Sequence, residues 1–311
     1  MKSIISASRR TDIPAFYPEW FLRRLNEGFA YVRQPYGGRI SRVSLKPDAI
    51  SCITFWSKNF APLISQLERV ALITQNLFFH FTITGITKDI EGKTPPLSEA
   101  VHDYIFLSKR YAPDRLIWRF DPICITDKLP FEHYEELFSK IAGKLHGHCS
   151  TCYISFAQKY KKVLVAFEKY CDHTLAEINV EMQKEYASRL GRIAEKNGIR
   201  LHACCNDHLI SGTVRKGSCI NSQSLSRVFD DRSINSSSAP TRKQCACTKS
   251  IDIGAYDTCP HGCLYCYANA NKEKAQKSFQ YIHSDMNGLG FHVEEEMKEK
   301  DLLRSSLFPL N

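Results

Sequence analysis

The chain has 311 residues, long enough to bury a sizeable core without disulfide staples, and its formal charge of +9 favours anionic partners such as nucleic acid, nucleotides or phosphate-bearing substrates. The opening Met1-Lys2-Ser3-Ile4-Ile5-Ser6 has too short an apolar run for a signal peptide, and no later stretch approaches the ~18 apolar residues of a membrane span. A soluble, cytoplasmic protein is expected, so its 13 cysteines should stay reduced and serve as ligands rather than cross-links.

Apolar runs alternate with amphipathic stretches, the pattern of βα units around a parallel sheet. The first strand is expected at Ser3 to Ser8, followed by a helix from Pro18 to about Asn26, with Pro18 in the first turn and Gly28 as the stop. Tyr36-Gly37-Gly38 reads as a hairpin. Ala49 to Trp56 is the next strand, with a Ser57-Lys58-Asn59 turn and a helix starting near Ala61. Phe78 to Thr84 is another, leading to a helix at Ser98, whose hydroxyl suits an N-cap. Arg115 to Phe120 runs into Asp121-Pro122, a helix covers about 130–145, and Cys152 to Phe156 is again a strand. Leu175 to Lys196 has helical spacing and feeds a strand from Ile199 to Cys204.

Five or six such units suit a partial (β/α) TIM-like barrel body over 1–205, a cysteine-containing loop segment over 206–248, and a closing unit over 249–311 that completes the same barrel. Chemistry in such barrels sits at the C-terminal strand ends, so Asp12, Lys58, Thr84, Arg119, Asp121, Ser155 and Cys205 should face one mouth. Arg119, Asp121 and Asp12 are the candidate catalytic residues there, and Lys58 and Ser155 the candidate cofactor contacts. Arg119 and Asp121 have a second reading, as a structural ion pair. His80 and His202, set in apolar strands, read as core histidines, and a helix near 292–304 with Glu294-Glu295-Glu296 as a solvated face.

Eight of the cysteines crowd between positions 204 and 266. Cys259-Pro260-His261-Gly262-Cys263-Leu264-Tyr265-Cys266 supplies three thiolates at C-x3-C-x2-C spacing. Thiolates hold the irons of a cubane cluster, and three of them leave one iron open to a small molecule. A zinc knuckle completed by His261 or a further cysteine is the alternative. Cys205, Cys219, Cys245 and Cys247 form a second set, able to hold an auxiliary 4Fe–4S cluster or a four-cysteine zinc, or to be ordinary buried thiols. Strand alternation should send only one of Cys204 and Cys205 inward.

With its aromatic Tyr265 before the last cysteine, the motif resembles the radical S-adenosylmethionine superfamily, and Cys-Pro-His-Gly-Cys-Leu-Tyr-Cys-Tyr-Ala is especially similar to its spore photoproduct lyase branch. The resemblance implies a 4Fe–4S cluster on Cys259, Cys263 and Cys266 and S-adenosylmethionine on the open iron. It also implies Tyr265 near the adenine, a flavodoxin or ferredoxin as electron donor, and hydrogen abstraction from a nucleobase, nucleic acid or small metabolite by a 5′-deoxyadenosyl radical. In that superfamily the motif follows the first barrel strand, whereas here it lies near the C-terminus, so a circularly permuted barrel is expected with Ser250 to Tyr256 as the displaced strand and Ala268 to Lys277 as its helix. Thr11-Asp12 is similar to a Thr-Asp-Pro element of the lyase branch near the bound methionine moiety, with Ile13 in place of proline. Ser6-Ala7-Ser8-Arg9-Arg10-Thr11-Asp12-Ile13-Pro14, Phe55-Trp56-Ser57-Lys58-Asn59 and Trp118-Arg119-Phe120-Asp121-Pro122 resemble an uncharacterised family of domain-of-unknown-function proteins. The competing function class is a non-catalytic iron–sulfur or zinc protein that binds nucleic acid.

Overall fold

The strands of this chain are apolar on both sides, which requires a sheet with both faces covered. A computed structural model describes residues 2–293 and shows such a sheet. Its eight strands are β1 (Ser3–Ala7), β4 (Ile50–Ser57), β5 (Leu77–Thr82), β6 (Leu116–Ile123), β7 (Thr151–Phe156), β8 (Arg200–Ala203), β9 (Val214–Lys216) and β10 (Ile251–Asp252). They lie in the order β10-β1-β4-β5-β6-β7-β8-β9, every pairing parallel. The glycine pair forms the expected hairpin, β2 (Phe29–Arg33) with β3 (Ile40–Ser44), as a separate antiparallel ribbon.

One face of the sheet packs on a helical layer built from the chain between the strands. This layer comprises α1 (Ile13–Phe16), α2 (Pro18–Glu27), α3 (Ala61–Ile64), α4 (Leu67–Ala71), α5 (Leu97–Tyr111), α6 (Phe131–Lys144), α7 (Lys161–Tyr170) and α8 (Val180–Lys196). Helix α2 opens on Pro18 and stops where Gly28 takes φ +76°, and α8 opens on Asn179, whose Oδ1 accepts from Met182 N at 2.9 Å. Ser98 is not a cap: α5 begins one residue earlier, behind Pro96. In the core, Phe55 lies between Phe21 and Phe79, while Trp118 stacks on Phe138 with ring centroids 4.7 Å apart and donates Nε1–H to Ile83 O at 2.8 Å.

Strand alternation turns Ile4, Cys52, Phe78, Ile117 and Tyr153 to the opposite face. There they meet Ile220, Ile234 and Leu225 of α9 (Ser222–Phe229), a helix in the stretch expected to be loop. This explains why the TIM-like barrel is not formed. β9 and β10 are strands of three and two residues at opposite edges, they do not pair, and the chain between them crosses the face of the sheet instead of extending its rim. Among the described residues the sheet is open, a Rossmann-like α/β arrangement, not a closed barrel. The displaced strand is shorter than expected, and the helix after it, α10 (Lys272–Tyr281), begins four residues later than expected.

No helix among the described residues is long and apolar enough to cross a membrane. The charged helix expected near 292–304 lies, from residue 294 onward, outside the described residues.

Trp118 is fully buried and Leu72 is 87% exposed. Trp118→Ala should therefore lower the unfolding free energy by about 3–5 kcal/mol, and Leu72→Ala should change it by no more than about 0.5 kcal/mol. Urea denaturation followed by circular dichroism measures both.

Candidate functional site

The three-cysteine turn is closed by Asp257 N, which donates to Ala268 O at 3.0 Å, and by Asn269 Nδ2, which donates to Cys259 O at 2.8 Å. Gly262 sits at φ +78°, where a side chain would be strained, and gives the bend between the first and second cysteines. His261 ties the turn to its neighbours. Its Nε2 bonds Asp12 Oδ2 at 2.7 Å, its Nδ1 bonds Lys93 O at 3.1 Å, and its ring packs edge-on to Phe16. Both nitrogens are thus engaged, one by a carboxylate and one by a backbone carbonyl of neighbouring loops.

Asp12 caps α1 by accepting from Ala15 N at 3.0 Å and accepts from Lys58 N at 2.9 Å, so with His261 its carboxylate serves three donors. These contacts make it a positioning residue for the turn. Lys58 Nζ pairs with Glu91 Oε1 at 2.8 Å. Thr84 Oγ1 donates to Glu91 at 2.9 Å, and the Tyr265 hydroxyl donates to it as well. Thr84 thus turns to Glu91 and does not line the main cavity, unlike the other strand-end residues.

That cavity, about 940 Å³, lies over the C-terminal strand ends. It is lined by Asp12, Lys58, Arg119, Asp121, Ser155 and Tyr265, and by both cysteine sets. Arg119 and Asp121 form the ion pair that was one of their two readings, and Ser155 donates to Asp121. Burial works to raise the Asp121 carboxyl, but the Arg119 guanidinium and the Ser155 hydroxyl outweigh it and hold the group below the usual carboxylate range.

Arg119 also reaches the second thiol set, donating Nη1–H to Cys219 Sγ at 3.3 Å. Cys219 Sγ lies 3.2 Å from Cys204 Sγ, and Cys205, Cys245 and Cys247 line the same cavity. Five thiols gather on this wall, one more than expected. β8 ends at Ala203, and Cys205 takes φ +54°, so the alternation rule no longer applies and both Cys204 and Cys205 line the cavity. All five are free thiols. Arg242 lines the same cavity as Cys205, and its positive charge works to lower that thiol's titration.

The cysteine turn suits a cluster in three respects. Cys259 and Cys263 are buried side chains at the cavity wall. Burial pushes the Cys263 thiol up to about 12 against the pull of Lys58, and burial beside Asp12 holds Cys259 well above the ordinary range. Left alone they stay protonated, and a bound metal would supply the positive charge that stabilises them as thiolates. Cys266 Sγ already accepts Ala268 N–H at 3.3 Å, a hydrogen bond of the kind that tunes cluster sulfurs.

Sequence reasoning missed Glu91, in a loop without periodicity, and Asp252. An aspartate between Ile251 and Ile253 in a strand was a readable signal, because a charge there must be paired. Asp252 accepts from the Ser6 and Ser8 hydroxyls at 2.5 Å each, from Arg9 N at 2.8 Å and from Arg10 Nε at 3.0 Å, and so fastens β10 to the loop after β1.

A protein-family model described as Domain of unknown function (DUF1848) matches residues 4–268. No curated protein matches the chain.

Burial acts to raise the Asp252 carboxyl, but Arg10 and the two serine hydroxyls overcome it and the group titrates below the carboxylate norm. A folded-state pKa below the unfolded value of about 3.9 contributes stability above that pH and loses it as pH falls through the folded value. Asp252→Asn should cost about 3 kcal/mol at neutral pH by leaving buried Arg10 unpaired, and should flatten the loss of stability below about pH 4. Denaturant midpoints against pH report both effects.

Proposed function

The chain belongs to the DUF1848 family, and we propose that it is a radical enzyme in which Cys259, Cys263 and Cys266 would hold a 4Fe–4S cluster beside S-adenosylmethionine in the cavity. When bound, this pair supplies a hydrogen-abstracting 5′-deoxyadenosyl radical, because an electron delivered to the sulfonium splits off methionine. The observation that carries the reading is a turn with three thiols, two of them buried, that opens onto a cavity of about 940 Å³. A cofactor and a small substrate fit together in such a volume.

The residues around the turn support distinct tasks. Lys58, paired with Glu91, fixes the loop beside the turn, and Lys272 Nζ, donating to Gly262 O at 2.5 Å, brings a positive charge to it. Tyr265, its hydroxyl fixed on Glu91, keeps its ring beside the Lys58 ammonium and would neighbour the adenine. Across the cavity, Arg119, Asp121 and Ser155 form one hydrogen-bonded unit that would orient polar groups of cofactor or substrate. Trp56, Tyr256 and Tyr267 add aromatic surface to the cavity wall. The five thiols would hold an auxiliary 4Fe–4S cluster, with zinc as the other filling.

The cationic side chains Arg9 and Arg242 on the cavity favour an anionic substrate, either a small metabolite or a nucleobase with its phosphate. A base within a duplex would have to be extruded to enter. A flavodoxin or ferredoxin is the expected reductant, and a cytoplasmic setting suits the free thiols.

Anaerobic incubation of reconstituted protein with dithionite and S-adenosylmethionine should release 5′-deoxyadenosine, and Cys263→Ser should abolish the release while circular dichroism stays unchanged. Wild type should bind about eight irons per chain and Cys245→Ser about four. No 5′-deoxyadenosine from iron-replete protein would overturn the radical reading and leave a metal-bearing nucleic-acid-binding protein, for which salt-dependent binding is the check.

A further inference from the structure

We infer that Asp89, Cys171, Asp172 and His173 form a separate mononuclear site for a divalent transition ion of the zinc class. One donor atom from each lies within 4.8 Å of all the others. Asp89 Oδ2 is 2.9 Å from His173 Nε2 and 3.6 Å from Cys171 Sγ, and Asp172 Oδ1 is 3.8 Å from the same imidazole nitrogen. Tetrahedral zinc, with ligand bonds of about 2.0–2.3 Å, holds its donors roughly 3.3–3.8 Å apart. These four groups need only small shifts to surround it.

The histidine is already aimed. Its side chain is 8% exposed, and its far nitrogen, Nδ1, is hydrogen-bonded to Thr126 Oγ1 at 3.0 Å, which fixes the ring and directs Nε2 inward. An outer hydrogen bond of this kind accompanies nearly every metal-bound histidine. One nitrogen, one sulfur and two carboxylate oxygens suit zinc or a neighbouring transition ion, whereas calcium and magnesium take all-oxygen sites. On binding, the Cys171 thiol releases its proton to solvent, the imidazole binds in its neutral form, and three negative ligands face two positive charges. Lys128 supplies the remaining positive charge, because it pairs with Asp172 Oδ2 and leaves Oδ1 toward the centre.

The site joins three stretches of chain: Asp89 from the loop after β5, Thr126 and Lys128 from the loop after β6, and residues 171–173 after α7. The last two are also held by backbone, with Asp127 N donating to Thr174 O at 3.0 Å and Ala176 N to Ile125 O at 3.0 Å. The loop of Asp89 is the one that carries Glu91. In it Ile90 O accepts from Leu264 N at 2.9 Å, and Lys93 N donates to His261 O at 2.8 Å. An ion here, closed by four protein ligands, would have a structural role: it would brace the loop against which the three-cysteine turn rests.

Elemental analysis of the full chain purified from zinc-supplemented medium should find one zinc more in wild type than in His173→Ala and Asp172→Asn, with iron content equal in all three. Asp172 is 79% exposed, so Asp172→Asn tests the site without disturbing the core. Thr126→Val should weaken zinc retention against a chromophoric chelator by about 10–100-fold. Equal zinc in wild type, His173→Ala and Asp172→Asn would overturn the proposal and leave the four groups as a hydrogen-bonded ion pair. Because iron and 5′-deoxyadenosine are read separately, this outcome is independent of the radical reading.

Discussion

One buried carboxylate holds together parts of the chain up to 249 residues apart in sequence. Asp12 accepts from Ala15 N in the helix that follows β1, from Lys58 N at the end of β4, and from His261 in the cysteine turn. Each donor comes from a different stretch of chain, so a single side chain sets the height of the turn above two adjacent strand ends. Hydrogen bonds to a carboxylate are among the stronger ones in proteins, and leaving such a group unpaired in a buried site costs more than the bonds return. The turn therefore sits where Asp12 puts it, and its sulfurs follow.

Around this pin, buried charge is organised as discrete units, each with its own counter-charge. Asp252 is met by Arg10, Glu91 by Lys58, and Asp121 by Arg119. Three carboxylate–cation pairs at the ends of parallel strands would be an expensive way to gain stability, since desolvation takes back most of the Coulomb attraction. Their value lies in geometry. Each pair ties a loop to a neighbour and leaves a polar surface toward the cavity, which an apolar packing of the same volume could not do.

The strands and most helices were legible because their signals are local: apolar runs, a proline at Pro18, a glycine at Gly28. The site was legible in part for the same reason, since C-x3-C-x2-C spacing survives any arrangement of the sheet. Barrel closure was not, because it depends on whether β9 and β10 meet, and that is decided by the path of the crossing segment between them, which packs on the sheet face and leaves them at opposite edges. The stretch from 206 to 250 misled in another way. Its short helix and bridges draw stability from packing on the sheet face, so Ile220, Leu225 and Ile234 carry little periodic signal of their own. Likewise Glu91 and the loop cluster of Asp89, Cys171, Asp172 and His173 are assembled from residues that nothing in the linear order brings together.

The same crossing segment that keeps the sheet open also shapes the site. By running over the sheet it brings Cys219, Cys245 and Cys247 to Cys204 and Cys205 at the end of β8, and it gives the cavity a second thiol-bearing wall opposite the cysteine turn. Arg119 spans the interior between a strand-end carboxylate and Cys219. Its hydrogen bond to sulfur matters most if that sulfur is a thiolate, because donors aimed at ligating sulfurs stabilise the more negative, reduced state of a centre. Cys247 lies below the ordinary thiol range through its bond with Cys219, so the row is polarised before any ion arrives. The open sheet, capped by a cysteine-bearing strap, holds a cavity lined by both sets of cysteines, and a molecule bound there is in reach of both.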